Sequence, residues 1–133
     1  MAHWILKTEP SEYGFSDLVR ERRTRWEGVS NPVALKHLRS MLEGDDACIY
    51  HTGNEKALIG LARVVSAPYP DPKNPKLVVV DIEAGKPLPR QVTLAEIKAD
   101  PAFAELALVR QGRLSVVPVA PALWKRLMGM AGS

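Results

Sequence analysis

The segment 47–67, ACIYHTGNEKALIGLARVVSA, decides the fold because it holds two apolar runs separated by a short polar turn. The runs Ala47–Thr52 and Ala57–Ala67 have the length and apolar content of β-strands. Gly53-Asn54 supplies the turn, since glycine and asparagine tolerate the backbone angles of tight turns. The segment therefore predicts a β-hairpin near the middle of the chain.

Further strand-like segments lie on both sides of this hairpin. His3–Thr8 precedes it, Leu77–Glu83 follows it, and Ser115–Val119 lies near the C-terminus. Trp26–Ser30 is interpreted as a short strand or loop, and the proline-rich segment Pro68–Pro75 as a loop. These strands do not alternate regularly with helices, so the order does not predict a parallel α/β sheet.

Capping residues predict two short helices before the hairpin. Ser16 is a suitable N-cap for a helix over 17–23. Asn31 caps a second helix that carries proline at its first position, where the missing N–H is harmless, and Gly44 ends it.

Two more helices are predicted after the hairpin. Thr93 and Glu96 form a capping box for a short helix. Pro121–Met128 is a closing helix that Gly129 ends. The predicted fold is therefore of the α+β class, a small mixed barrel or strongly curved sheet of about five to six short strands flanked by short α-helices.

The composition is that of an ordinary globular protein. The chain has 133 residues, of which 46% are apolar and 25% charged, so we expect one domain over residues 1–133. A single cysteine excludes an internal disulfide and suits a reducing compartment. The apolar runs are too short to span a bilayer. We therefore expect a cytoplasmic protein that makes no membrane contact.

The net charge of +3 is compatible with a polyanionic partner but does not require one. The distribution of the charge is more informative, because Arg20, Arg22, Arg23 and Arg25 crowd one short segment. Such a run is either a phosphate-binding patch or a solvated helix face, and the sequence leaves both interpretations open.

No catalytic or metal-binding motif stands out. Cys48 and His51 lie three apart on a predicted strand and therefore point to opposite faces, so a buried structural cysteine is favoured over a nucleophile. His3 and His37 complete no metal-ligand spacing with His51. We expect no metal, no cofactor and no enzymatic activity.

Three segments combine aromatic and polar residues in a way that packing alone does not require. They are WILKTEPSEY at 4–13, WEGVSNP at 26–32 and RQGRLSV at 110–116. The first ends a strand in several hydrogen-bonding groups. The second places a tryptophan near a helix cap, and the third is a basic turn that leads into a strand.

Together with GDDACIYHTGNEKALIGLARVV, YPDP and VTLAEIKADP, these segments resemble the EVE domain family in order and spacing. The resemblance runs from about Trp4 to Leu127. It implies a PUA-like pseudo-barrel, similar to PUA and YTH domains, with a pocket for a flipped-out base. The implied partner is DNA or RNA that carries a modified base, such as a methylated or hydroxymethylated cytosine or a methylated adenine.

Carried over to this sequence, the resemblance implies ten pocket residues. They are Lys7, Thr8, Ser11, Trp26, Ser30, Asn31, Tyr50, His51, Leu114 and Ser115. Trp26 is the expected stacking platform with Tyr50 or Trp4 as the second wall, because base stacking on an aromatic ring is worth about 1–3 kcal/mol. Asn31 and Ser115 are expected to bind the base edge, and Leu114 to pack on a methyl group. Many family members have arginine at the position of Ser30 and serine at that of Gly112.

Phosphate contacts are expected from arginines that set position without reading sequence. They are Arg20, Arg22, Arg23, Arg25, Arg110 and Arg113. The leading hypothesis is thus a monomeric module that binds a modified base. The alternatives are an enzyme or enzyme subunit that processes nucleic acid through Cys48 or His51, and an interaction module that binds a peptide in the same groove.

Overall fold

The hairpin predicted at the centre of the chain forms the middle of a seven-stranded mixed sheet. The computed structural model describes residues 1–133. Its strands are β1 His3–Thr8, β2 Arg23–Trp26, β3 Asp46–His51, β4 Ala57–Val64, β5 Tyr69–Asp71, β6 Asn74–Thr93 and β7 Val116–Val119. Their order in the sheet is β2-β6-β4-β3-β1-β7, with β5 paired to β6. β1 runs parallel to β3, and the other pairs are antiparallel.

Two predictions about the strands are corrected. The segment Pro68–Pro75, expected to be a loop, contains β5, which pairs with the first half of β6. Its prolines are tolerated because β5 is an edge strand, whose N–H groups on one side need no partner. The strand expected at Leu77–Glu83 is part of the longer β6, which pairs in turn with β5, β2 and β4.

Short helices lie between the strands. They are α1 Phe15–Glu21, α2 Pro32–Ser40, α3 Leu94–Ala99, α4 Ala107–Arg110 and α5 Pro121–Met130, with a short 3-10 helix at Pro101–Phe103. The caps predicted at Asn31 and Thr93 are confirmed: the side chain of each accepts hydrogen bonds from backbone N–H groups of the following turn. α4 and the 3-10 helix were not predicted.

Three helices have boundaries that differ from the prediction. α1 follows a cap at Gly14 rather than at Ser16, because the Asp17 carboxylate accepts a hydrogen bond from Gly14 N at 2.7 Å. It ends at Glu21 rather than at residue 23, because Arg22 has φ +68° and Arg23 begins β2. α2 ends at Ser40, since Met41 is already extended, and Gly44 lies in the turn beyond. α5 continues through Gly129 to Met130.

The α+β class and the curved sheet with flanking helices are confirmed, with seven strands rather than five or six. β2 and β7 end the strand order and do not pair with each other, so the sheet is not closed. α2 packs against both β6 and β7 and buries Ala34, Leu35 and Leu38. This helix therefore packs on β7, one end strand of the sheet, and on β6, the neighbour of the other end strand.

The position of α1 depends on a glycine in β4. A Cβ atom at Gly60 would lie 2.3 Å from Cζ of Phe15, the first residue of α1. No real side chain tolerates such a contact, so the bare backbone of β4 lets the Phe15 ring lie directly against the sheet. The glycine at residue 60 thereby lets α1 pack close to β4.

Candidate functional site

A cavity of about 420 Å³ lies at the opening of the sheet. β2 at one end of the sheet contributes residues 24–26, and Ser115, directly before β7 at the other end, faces them. We call this space the edge cavity. It is lined by Lys7, Thr8, Tyr13, Glu21, Thr24, Arg25, Trp26, Glu27, Gly28, Val29 and Ser115.

Two aromatic rings form one wall of the edge cavity. The rings of Tyr13 and Trp26 meet edge to face, with centroids 6.3 Å apart and planes at 80°. Trp26 is only 7% exposed, so most of its ring is core and Tyr13 presents more of the accessible aromatic surface. Thr8 Oγ1 donates a hydrogen bond to the Tyr13 carbonyl at 2.6 Å and ties this segment to β1. The wall is therefore held in place by the burial of the Trp26 ring and by the hydrogen bond that joins Tyr13 to β1.

The edge cavity also holds a carboxylate with an uncommitted oxygen. Tyr13 Oη donates to Glu21 Oε1 at 2.6 Å, while Oε2 of Glu21 makes no hydrogen bond or ion pair. Burial, and after it the hydrogen bond to Glu21, raise the pKa of Tyr13 to about 12, so the phenol remains a donor at neutral pH. Glu27, by contrast, is occupied by Arg25 at 3.1 Å and by Lys73 at 3.4 Å.

Lys7 places a positive charge in the lining of the edge cavity. Its Nζ donates to the Gly112 carbonyl at 3.0 Å and lies 5.8 Å from the centroid of the Tyr50 ring. The side chain is half-buried, and this burial lowers the pKa of Lys7. The backbone N–H of Lys7 donates to the Ser115 carbonyl at 2.9 Å and so joins the strand end to the segment before β7. A donor and a carboxylate acceptor thus both line the edge cavity.

The structure brings four of the ten predicted pocket residues together. Lys7, Thr8, Trp26 and Ser115 line the edge cavity, and so does Arg25, which was expected to contact phosphate. Sequence reasoning missed Tyr13, Glu21, Thr24, Glu27, Gly28 and Val29. Four of these six lie inside the aromatic and polar segments quoted above, so the segments themselves held the signal. Glu21 and Thr24 lie among the clustered arginines, where no motif in the sequence marked them as pocket residues.

Three predicted pocket residues lie on the surface outside the edge cavity. Ser11 is exposed and donates to the Glu9 carboxylate at 3.1 Å. Asn31 uses its side-chain oxygen to cap α2, accepting from Val33 N and Ala34 N, and lines a neighbouring depression. Ser30 is exposed beside it. None of the three lines the edge cavity.

Three further predicted pocket residues are held in the interior. Tyr50 and His51 are 4% and 7% exposed because β3 lies near the middle of the sheet. His51 Nε2 accepts a hydrogen bond from Phe15 N at 3.0 Å, which requires the proton of the neutral ring to be on Nδ1, facing Glu55. Leu114 is 4% exposed. Trp4, the alternative second wall, is 5% exposed and donates its Nε1–H to Asp45 at 3.0 Å.

Most of the predicted phosphate-binding arginines are engaged by carboxylates. Arg20 pairs with Asp17 at 2.7 Å, Arg23 with Asp81 at 3.5 Å, Arg25 with Glu27, and Arg110 with Glu105. Arg22 and Arg113 are exposed and make no ion pair. The sequence cluster is therefore not a single patch of free positive charge. It is divided between α1 and β2, and its paired arginines have counter-charges on α1, on β6 and directly after β2.

The remaining chemical candidates are placed as follows. Cys48 is fully buried, and burial raises the pKa of its thiol to about 12. No three histidine, cysteine or acidic side chains converge in a geometry that suits a metal ion. None of the helices has the length and hydrophobicity required to cross a bilayer.

Comparison with known proteins identifies relatives of both the sequence and the fold. The sequence model of the EVE domain matches residues 2–130. Human thymocyte nuclear protein 1 is 29% identical over an alignment covering 74% of this chain and 56% of that protein. The chicken protein of the same name is 31% identical, covering 72% of this chain and 51% of that protein. The chain thus spans about half the length of these relatives.

Two solved structures superpose on nearly the whole chain. The NMR structure of a protein from Rhodopseudomonas palustris has a TM-score of 0.94 and 40% identity, covering 99% of this chain and 94% of that one. The crystal structure of human THYN1 protein in complex with DNA containing 5-methylcytosine has a TM-score of 0.92 and 25% identity. It covers 100% of this chain and 99% of that one.

Proposed function

Because this chain belongs to the EVE domain family, we propose that it binds nucleic acid by taking one modified base, with 5-methylcytosine in DNA as the first candidate, into the edge cavity. The observation that carries the proposal is the cavity itself, which joins an aromatic wall to a donor and an acceptor at the opening of the sheet. A fold of the same shape binds 5-methylcytosine-containing DNA in the human relative.

The size of the edge cavity suits a single base. Sites for small molecules typically measure about 300–1,000 Å³, and the edge cavity measures about 420 Å³. A base buried in a duplex hides both faces, so its capture requires extrusion at a cost of a few kcal/mol or a single-stranded substrate. Stacking against Tyr13 and the exposed part of Trp26 offsets part of that cost, because stacking is worth about 1–3 kcal/mol per base.

The polar groups of the edge cavity match a cytosine edge. The free oxygen of Glu21 accepts from an exocyclic amino group, and Lys7 donates to a ring nitrogen or carbonyl oxygen. Val29, 6% exposed, is the aliphatic side chain in the lining, and we assign to it the contact with a 5-methyl group that sequence reasoning gave to Leu114. Burial of one methyl group is worth about 0.8 kcal/mol, which corresponds to a roughly fourfold preference.

We propose binding without catalysis by this domain. A thiol with a pKa near 12 supplies almost no thiolate at neutral pH, and both ring nitrogens of His51 are used inside the fold. We also propose that RNA carrying a modified base is a ligand of the same cavity. We further propose that the protein is a monomer and that it is located in the cytoplasm.

A titration with short oligonucleotides tests the proposal. The probes differ at one position only, which is cytosine, 5-methylcytosine, 5-hydroxymethylcytosine, adenine or N6-methyladenine, each as DNA and as RNA. We expect tightest binding to 5-methylcytosine DNA, and a loss of about 5- to 150-fold in the variant Tyr13→Ala, from the stacking energies above. Tyr69→Ala is the matched control, because Tyr69 is also half-buried but lies outside the edge cavity.

Three outcomes would contradict the proposal. Equal binding of all probes, unchanged by Tyr13→Ala, would reduce the protein to a backbone binder. A failure to bind any probe at low salt would instead favour the peptide-binding alternative. Turnover of a probe would establish an enzyme. Circular dichroism of each variant keeps loss of binding separate from loss of fold.

A further inference from the structure

The concave surface of the molecule continues beyond the edge cavity. Lys7 lines the edge cavity and also an adjoining depression that reaches Lys56 and Leu94. Lys56 and Leu94 in turn line the next depression, which ends at Lys98 on α3. Shared residues therefore join the three spaces into one continuous path, which we call the lysine groove and define by Lys7, Lys56 and Lys98.

The lysine groove carries positive charge that no carboxylate neutralises. None of its three lysines makes an ion pair within the protein, in contrast to Arg20, Arg23, Arg25 and Arg110. The carboxylates along this path have other partners or lie apart from the lysines. In the edge cavity, Glu21 accepts from Tyr13 and Glu27 pairs with Arg25 and Lys73. In the two depressions beyond it, the Glu9 carboxylate beside Gly53 accepts from Ser11 and Thr52, and the Glu55 carboxylate faces the ring of His51. A row of uncompensated ammonium groups on a concave surface is the electrostatic footprint of a polyanion.

The middle of the groove is held in place by the backbone. Lys56 has φ +46°, a left-handed conformation, and its carbonyl accepts a hydrogen bond from Leu94 N at 2.7 Å. This bond joins the β3–β4 turn to the start of α3, the two segments that line this part of the groove. The Lys7 side chain is held by the hydrogen bond that its Nζ donates to the Gly112 carbonyl.

We propose that the strand flanking the captured base leaves the edge cavity past Lys7 and follows the lysine groove, with its phosphates on Lys56 and Lys98. This inference rests on the proposed function. It assigns the phosphate contacts of this flanking strand to lysines that are far apart in the sequence. The sequence analysis had assigned the phosphate contacts to arginines instead. Phosphate contacts position a strand without reading its bases, so these lysines set affinity and leave the base preference to the edge cavity.

The salt dependence of binding tests the path. Each phosphate contact contributes about 0.7 to 0.9 to the slope of log K against log salt concentration. The double variant Lys56→Ala/Lys98→Ala should therefore lower the slope for a 5-methylcytosine oligonucleotide by about 1.4 to 1.8. The ratio of affinities for methylated and unmethylated probes should stay at its wild-type value.

The matched control is the double variant Arg39→Ala/Lys76→Ala. These two cations are also exposed and unpaired, and they line a depression that shares no residue with the edge cavity. We expect its slope to equal that of the wild type. An unchanged slope in the groove variant, or an equal fall in the control, would overturn the path while the proposed function stands. Loss of the methyl preference in the groove variant would also overturn it, and a wild-type protein that binds no probe would remove both proposals.

Discussion

The substitution Glu21→Gln should weaken the preference of this protein for 5-methylcytosine over thymine. The two bases share the methyl group but differ at position 4, where cytosine has an amino donor and thymine a carbonyl acceptor. The Glu21 carboxylate accepts hydrogen bonds only, so it attracts the first group and repels the second, whereas a glutamine amide can satisfy either. The substitution keeps an oxygen that can accept the Tyr13 hydroxyl, so the aromatic wall is retained.

The magnitude follows from the position of the carboxylate. A hydrogen bond to a charged group contributes about 1.5–3 kcal/mol. Glu21 lies at the exposed rim of the edge cavity, where solvent screens its charge, so we take the lower end of that range. Since about 1.4 kcal/mol is a factor of ten in affinity, the preference should fall by about tenfold.

The assay compares dissociation constants for two single-stranded oligonucleotides that differ only in 5-methylcytosine or thymine. Single strands remove the difference in base-pairing cost between the two probes. Glu43→Gln is the control, because it removes the same charge from an exposed carboxylate that makes no ion pair. A preference that is unchanged by Glu21→Gln, or that falls equally in the control, would refute the role of Glu21 at the base edge.

Three further predictions concern stability and reactivity. Gly60→Ala should lower the free energy of unfolding by about 1–3 kcal/mol in a denaturant titration, because its Cβ meets the Phe15 ring, whereas Gly129→Ala, with open space around it, should not be destabilising. Asp45→Asn should destabilise by about 2 kcal/mol at neutral pH, since three N–H groups donate to this carboxylate. Burial raises the pKa of Asp45, but those three bonds together with the positive charge of the N-terminus bring the pKa below its ordinary value. The Asp45 contribution should therefore be complete above about pH 4 and vanish as the pH falls through the lower folded value, and a pH-independent difference would contradict this. Cys48 should react with a thiol reagent only in denaturant, and rapid labelling of the folded protein would revive the enzyme alternative.

Short-range patterns in the sequence predicted the elements of the fold well. The hairpin over 47–67 and the helix caps at Asn31 and Thr93 depend on residues within one turn of each other, and the structure confirms them. The curved sheet followed from the number of short strands and from the lack of regular alternation between strands and helices. β5 was missed because its prolines match a loop pattern as well as an edge strand, and only its pairing with β6 distinguishes the two.

The candidate site was predicted in part. Lys7, Thr8, Trp26 and Ser115, which the family resemblance assigned to the base pocket, all line the edge cavity. Tyr50 and His51 do not, since the alternation of side chains along a strand cannot distinguish a pocket from the interior when both faces of the strand are covered.

The sequence by itself determined which segments become strands and helices, because turns, caps and apolar runs act over a few residues. Tertiary structure alone decided where the edge cavity lies, since that depends on the two ends of the sheet failing to meet. It also decided which cations are free to bind phosphate. The ion-pair partner of Arg23 is Asp81, 58 residues away in the sequence. The carbonyl of Lys56 accepts a hydrogen bond from the backbone N–H of Leu94, which is also distant in the sequence. A charge run in the sequence does not reveal such distant partners, whereas a folded chain brings each charge to its counter-charge or leaves it exposed.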